Sequence, residues 1–302
     1  MLSEAVESYL TLRHACGFEL KSDGNLLRSF AAFSDARGEC YVCSIRAVEW
    51  AGLSESIVQR ARRLGVVIRF ARHVRAEDAR HEVPRPVFGR EKPPRPVPYI
   101  LSSDDVRRLV QEASQSGYRS LRRRTYSTLF ALLACTGIRV SEAIHLRFDD
   151  ITQDGLIIRC SKFRKSRVVP LHATARAGLA NYLEQRRSYA PFDDHVFISL
   201  RRKPLRIDDV ESAFRTVAIK IGLPCEPGLP SPTPHSLRHT FAVRALESCP
   251  DGRDRIAKHM LALSTYLGHS TVSATYWYLD ATPYLMRDIA ERCESFVTGV
   301  QS

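Results

Sequence analysis

Long apolar runs are missing from this 302-residue chain: none approaches the ~20 residues that a bilayer span requires. The opening MLSEAVESYL is too acidic and polar for a secretory signal, so membrane partners are not expected and a cytoplasmic, nucleoid-associated protein is. Neither GxGxxG nor GxxxxGK[ST] occurs, which leaves nucleotide binding without support. There is no internal repeat and no low-complexity tract. The eight cysteines are scattered and need no disulfide framework. Cys40 and Cys43 form a CxxC, but no second such pair or histidine pair completes a zinc site, so neither a metal nor another cofactor is expected. Acid is in deficit, 33 Asp and Glu against 45 Lys and Arg, giving a formal charge of +12. That surplus favours a polyanionic partner, nucleic acid ahead of a membrane surface. With 44% apolar and 26% charged residues the composition is globular, and the length suits two domains.

The seam lies at 84–98, PRPVFGREKPPRPVP, where six of fifteen residues are proline and four are basic. Proline removes backbone donors and biases its neighbours toward extended geometry. A solvated spacer and a stiff strap along phosphates are both compatible with this basic linker.

Residues 1–83 read as a small helical DNA-binding domain. Ser3 is placed to cap a first helix ending at Gly17, and a second pattern (Leu26, Leu27, Phe30, Phe33) stops near Gly38. From Ile57 to Ala76 the chain holds six arginines and no acid, interleaved with Val58, Leu64, Val67, Ile68 and Phe70. One helix face can pack while Arg60, Arg62, Arg63, Arg69 and Arg72 meet phosphates; a plain soluble surface is the alternative.

Residues 99–302 are mixed. A helix begins at Ser102 or Ser103 and an apolar one follows from about 125 to 135. GLIIRC and RVVPL read as two short strands joined by a basic turn. Helical patterns then cover about 173–188, 208–221, 234–247, 255–267 and 283–297. The fold class is thus mainly α with a small β-sheet. Arg122–Arg124 suit a helix surface or a phosphate contact equally.

Four clusters stand out in this second region: TGIRVSEAIHL (136–146), SKFRKSRVVPL (161–171), HSLRHTF (235–241) and LGHSTVSATYWYL (267–279). In that order they resemble the motifs of the tyrosine recombinases of the phage-integrase family. The resemblance spans most of 99–280 and the two-domain layout, with a SAM-like core-binding domain ahead of the catalytic one. It maps the catalytic residues onto Arg139, Lys162, His235, Arg238, His269 and the nucleophile Tyr278, and each position holds the expected residue type. Arg164 and Lys165 in the basic turn become DNA contacts. Glu142, Asp149 and Asp150 read, by the same resemblance, as structural support rather than acid–base catalysts.

The chemistry suits these residue types. A phosphodiester is shielded by anionic oxygens, and two permanently protonated guanidinium forks match it bidentately, the role given to Arg139 and Arg238. A phenol of reference pKa about 10 must lose its proton on attack. The resemblance makes His235 the general base, His269 a hydrogen-bond donor to the phosphate and Lys162 the general acid for the 5′-oxygen. A 3′-phosphotyrosyl link would follow without ATP or metal. Tyr276 competes with Tyr278, but on a helix the two lie about 200° apart, and spacing from His269 favours Tyr278.

The implied protein is a site-specific recombinase acting as a homo-tetramer on paired sites in double-stranded DNA, with accessory recombinases or a directionality factor as further partners. The ending TYWYLDATPYLM resembles recombinases of bacterial transposons and integrative elements. The apolar stripe over 283–297 either packs on its own domain or, as in relatives, docks into a neighbouring subunit. Thirty-one positions separate Arg238 from His269, more than in compact relatives, and the surplus near 249–259 reads as an enlarged loop. The rival functions are a type IB topoisomerase, a DNA-binding accessory protein without catalysis, and plain RNA or polyanion binding.

Overall fold

The computed structural model describes residues 1–89, 97–115, 120–159, 166–189, 193–224, 230–248, 253–269 and 271–281. The chain divides into two compact units, Met1–Arg95 and Pro96–Ser302. The described residues are mainly helical with one two-stranded sheet, and none of their helices is long and apolar enough to cross a membrane.

The first unit holds α1 (Leu2–Ala15), α2 (Lys21–Asp35), α3 (Ser44–Gly52) and α4 (Ile57–Glu77). Leu2, Val6 and Leu10 recur at helical spacing and are buried with Leu27, Phe30, Trp50, Leu64, Val67 and Phe70. Two details depart from the sequence reading. The first helix starts one residue before Ser3, and its open N–H groups at Leu2 and Ser3 donate to the Asp35 carboxylate of α2, 2.9 and 3.2 Å away. Asp35 thus does from another helix what a local cap would do. The short α3 has no counterpart in the expected elements; its nine residues bury only Ala47, Trp50 and Ala51, too little periodicity to stand out.

The second unit contains α5 (Ser103–Gln115), α6 (Ser120–Thr136), α7 (Val140–Ile144), a 3-10 turn (Phe148–Asp150), α8 (Ala173–Tyr189), α9 (Ile207–Lys220), α10 (Pro234–Glu247), α11 (Arg253–Leu267), α12 (Ser273–Tyr276) and a 3-10 turn (Trp277–Ala281). Ser102 caps α5 reciprocally: its Oγ accepts from the Asp105 N–H, and its own N–H donates to the Asp105 carboxylate, both at 3.0 Å. The sheet pairs β1 (Leu156–Ile158) with β2 (Arg167–Val169) antiparallel, Leu156 facing Val169. Pro234 at the first turn of α10 suits a helix start, and this helix buries Leu237, Arg238 and Thr240. A separate apolar cluster gathers Ala242, Val243 and Leu246 of α10 with Met260, Leu263 and Leu267 of α11 and with Tyr278. This cluster brings the end of the chain's described part back onto the helix that carries HSLRHTF.

Candidate active site

Arg139 precedes α7, and its extended backbone turns the chain so that Glu142 reaches back. Glu142 accepts from the Arg139 N–H at 2.9 Å and from its Nη1 at 2.7 Å. The same carboxylate receives both ends of Arg167 from β2, Nη1 at 3.0 Å and Nη2 at 2.9 Å. Arg167 Nε also donates to the Tyr266 carbonyl at 2.6 Å. Burial pushes the Glu142 carboxyl up, but the Arg167 hydrogen bonds, the Arg139 N–H and the two positive charges outweigh it and hold the group below its ordinary value.

Arg238 is almost wholly buried, its Nη1 donating to the Gly137 carbonyl at 2.6 Å and its Nη2 to that of Leu267 at 2.7 Å. Arg139 Nη2 donates to the next carbonyl, Gly268, at 3.0 Å. Two glycines make these turns. Gly137 has φ +60°, and a Cβ there would stand 2.5 Å from the Phe241 ring; Gly268 has φ +66°, and its Cβ would meet Arg167 Nη1 at 2.9 Å. Burial and the nearby Arg139 charge depress the Arg238 guanidinium to about 10. Arg139 and Arg167 share one carboxylate while Arg238 stands close enough to feel their charges, and this surplus of positive charge is the electrostatic imprint of an anion site.

The histidines sense the same field. His235 opens to solvent on one side, yet the protein crowding its ring, then Arg238 and Arg139, lower it to about 4. One turn on, His239 is lowered to about 3 by burial first and then by His235, Arg238 and His269. Both are neutral imidazoles at neutral pH. The two rings meet edge to face with centroids 4.4 Å apart. His269 shares a hydrogen bond with the buried Thr275 hydroxyl, 2.7 Å from its Nδ1, and lies near-parallel to the Tyr278 ring at 6.1 Å. Tyr278 is 2% exposed, and its hydroxyl sits 3.2 Å from His239 Nδ1. Tyr276, by contrast, is 55% exposed.

Five of the six positions expected to be catalytic therefore converge: Arg139, His235, Arg238, His269 and Tyr278 surround one place on the second unit. The sixth, Lys162, lies outside the described residues, as do Arg164 and Lys165. Comparison with known proteins gives the family. The family model described as "Phage integrase family" matches residues 100–283. A protein of Sinorhizobium fredii named "Putative integrase/recombinase y4rB" is 34% identical over 96% of this chain and 96% of its own. The chain belongs to the phage integrase family.

Solved structures show the same fold. The Tn1549 transposon integrase in complex with transposon right-end DNA has a TM-score of 0.66 at 19% identity, over 96% of this chain and 98% of its own. A λ integrase tetramer bound to a Holliday junction has a TM-score of 0.63 at 18% identity, over 89% of this chain and 77% of its own.

In the first unit of this phage-integrase chain, the arginines of α4 serve different ends. Arg60 Nε donates to the Ser54 carbonyl at 2.6 Å, and Arg63 lies over the Trp50 ring at 4.1 Å. Arg62 and Arg69 both pair with Asp23, at 3.6 and 2.7 Å, while Arg72 stands exposed. Asp150 accepts from the Arg147 N–H at 3.0 Å and from Arg159 Nε at 2.5 Å, a structural role, and Glu142 has its own in the arginine pair. The helix expected over 283–297, linker residues 90–96 and residues 249–252 also lie outside the described residues; the rest of the expected loop, 253–259, is instead the first part of α11.

Sequence reasoning passed over His239, Thr275 and Arg167. Only His239 carried a usable signal: it follows His235 by four residues, which puts both on one face of a helix.

Proposed function

We propose that this chain is a site-specific tyrosine recombinase that cuts and rejoins double-stranded DNA through a 3′-phosphotyrosyl intermediate. The observation that carries the reading is the Tyr278 hydroxyl, enclosed in a pocket with His239 and His269 beside the paired guanidinium groups of Arg238 and Arg139. A guanidinium has five N–H donors, more than the bonds made here consume, so both arginines retain donors for a non-bridging phosphate oxygen. As charge gathers on those oxygens in the transition state, the fixed cations stabilise it without reorganising. A bound phosphodiester anion also offsets the field that depresses the imidazoles and so raises their basicity. Lys162 supplies the proton to the leaving 5′-oxygen, and Arg164 and Lys165 beside it contact the backbone.

Duplex DNA as partner follows from the +12 charge and from the complexes formed by the Tn1549 and λ integrases. We carry over the tetramer on paired sites from λ integrase on its Holliday junction. The domains read from the sequence at 1–83 and 99–302, joined by the basic linker 84–98, then both contact the DNA. The bond energy conserved in the phosphotyrosyl link lets strands exchange and reseal in two steps.

The test is a pool of nicked duplexes of randomised sequence, from which DNA covalently joined to the protein is recovered on denaturing gels. Wild type and Tyr276→Phe should yield the adduct, and Tyr278→Phe should bind DNA without yielding it. An adduct formed by Tyr278→Phe would overturn the assignment.

A further inference from the structure

By resemblance the proton acceptor for the nucleophile is His235, yet an imidazole within hydrogen-bond reach of the Tyr278 hydroxyl is that of His239, with Nδ1 at 3.2 Å. Proximity to the proton in question is the first requirement of a general base. The ring is also fixed. Trp277 meets it edge to face at 5.0 Å, His235 meets it at 4.4 Å and 82°, and the Tyr278 ring lies 5.5 Å away. Trp277 immediately precedes the tyrosine, so the clamp on His239 and the nucleophile belong to one 3-10 turn.

We propose that His239 is a catalytic residue of strand cleavage, whose Nδ1 orients the Tyr278 hydroxyl and takes its proton as the phenol oxygen bonds to phosphorus. The inference deepens the recombinase reading and rests on it. In the step, the Tyr278 Oη–P bond forms and the P–O5′ bond breaks. The phenol proton passes to His239 Nδ1, and the departing 5′-oxygen leaves with a proton from the general acid. Resealing runs the same transfers backward, the imidazolium returning its proton to the phenol oxygen.

The surroundings set the timing. His239 is neutral at neutral pH, so Nδ1 is an acceptor in the tautomer that carries its proton on Nε2. Lowered to about 3, the imidazole is too weak a base to take the proton of an unactivated phenol, so no proton moves before attack. A phosphodiester held by Arg139 and Arg238 offsets the Arg238 charge, which after burial is one of the causes that lower His239. Bond formation to phosphorus acidifies the phenol at the same time. The transfer is therefore coupled to attack, and the resting nucleophile stays protonated and unreactive toward solvent or stray electrophiles.

The experiment uses the full chain and a nicked duplex recovered from the pool with wild type, made with either oxygen or sulfur as the 5′-bridging atom. Sulfur leaves without needing a proton, so it isolates the nucleophile's side of the reaction. His239→Asn should slow single-turnover adduct formation roughly 10²-fold with both leaving atoms while gel-shift affinity stays close to wild type. His239→Gly should be rescued by added imidazoles, with rates rising as the pKa of the added base rises. A His239→Asn rate within about twofold of wild type would overturn the proposal, on the scale expected of an acid–base group. So would a defect that sulfur erases, which would place His239 on the leaving-group side. Rescue insensitive to the imidazole's basicity would assign it a packing role instead. Failure of the recombinase reading looks different: wild type forms no adduct with either substrate, or Tyr278→Phe forms one.

Discussion

Arg139 and Arg238 donate to consecutive backbone carbonyls, Arg139 to Gly268 at 3.0 Å and Arg238 to Leu267 at 2.7 Å. Two residues almost a hundred positions apart in sequence are set side by side by one turn at the end of α11. The turn exists because Gly268 takes φ +66° and leaves space for Arg167. Gly268→Ala should therefore cost about 1 to 2 kcal/mol for the left-handed backbone alone. The Cβ also presses on Arg167, and both carbonyls shift. Strand cleavage, which depends on guanidinium placement, should fall roughly 10²-fold, while DNA affinity changes far less. Urea denaturation and single-turnover adduct assays on the same preparation check both parts.

Glu142 is the anion that keeps Arg139 and Arg167 together, and its side chain is 6% exposed. Glu142→Gln preserves volume but leaves two neighbouring cations without their shared counter-charge. Removing one member of a buried pair typically costs about 3 to 5 kcal/mol, and the lower end is expected because Arg139 is 23% exposed. Arg167→Met in the Glu142→Gln background should recover part of that loss, since it removes one of the stranded charges. A double-mutant cycle on urea midpoints measures the coupling; additive effects would mean that the bridge contributes nothing beyond its parts.

The helices were legible because their patterns are long: 234–247 and 173–188 in the sequence correspond to α10 and α8, with ends differing by a residue at most. The nine-residue α3 was not, since two turns hold too few buried positions for a period to emerge. Among the site residues, those carried by motif order could be named from sequence. Arg167 and Thr275 act through contacts between segments far apart or through a local turn, and composition holds no trace of such contacts; His239 showed only in its spacing of four from His235. The Asp35 cap on α1 was hidden for the same reason, its partner lying 33 residues away.

The arginines of α4 also separate only in three dimensions. Arg63 lies over Trp50 and Arg72 is exposed, so two residues alike in sequence should respond oppositely. Arg63→Ala should lower stability by about 0.5 to 2 kcal/mol through the lost ring contact and leave the salt dependence of DNA binding unchanged. Arg72→Ala should leave stability within about 0.5 kcal/mol and reduce the slope of log K against log salt by about 0.9, one phosphate contact. Titrations at several salt concentrations, beside thermal melts, decide the matter; a reversed pattern would remove Arg72 from the DNA-contacting face.

His239 and His235 tie stability to pH in a defined direction. In the unfolded chain both imidazoles take up a proton near pH 6.5, the reference value. In the folded chain His235 stays neutral to about 4 and His239 to about 3. Between those limits the unfolded chain binds more protons, so stability rises with pH. The contribution is complete above about 6.5 and is lost progressively on acidification. Glu142 acts with the same sign, but its carboxyl is held low, so its share disappears only below the ordinary carboxylate range. The interval from about pH 6.5 down to 4.5 therefore isolates the histidines. His239→Asn removes one of them, and its stability should vary less steeply there, by up to about 1.4 kcal/mol per pH unit, the value of one proton. Urea unfolding at half-unit pH steps measures both slopes. Identical slopes for the variant and the wild type would mean that His239 titrates alike in the folded and unfolded chains, and that neither its burial nor its charged neighbours depress it.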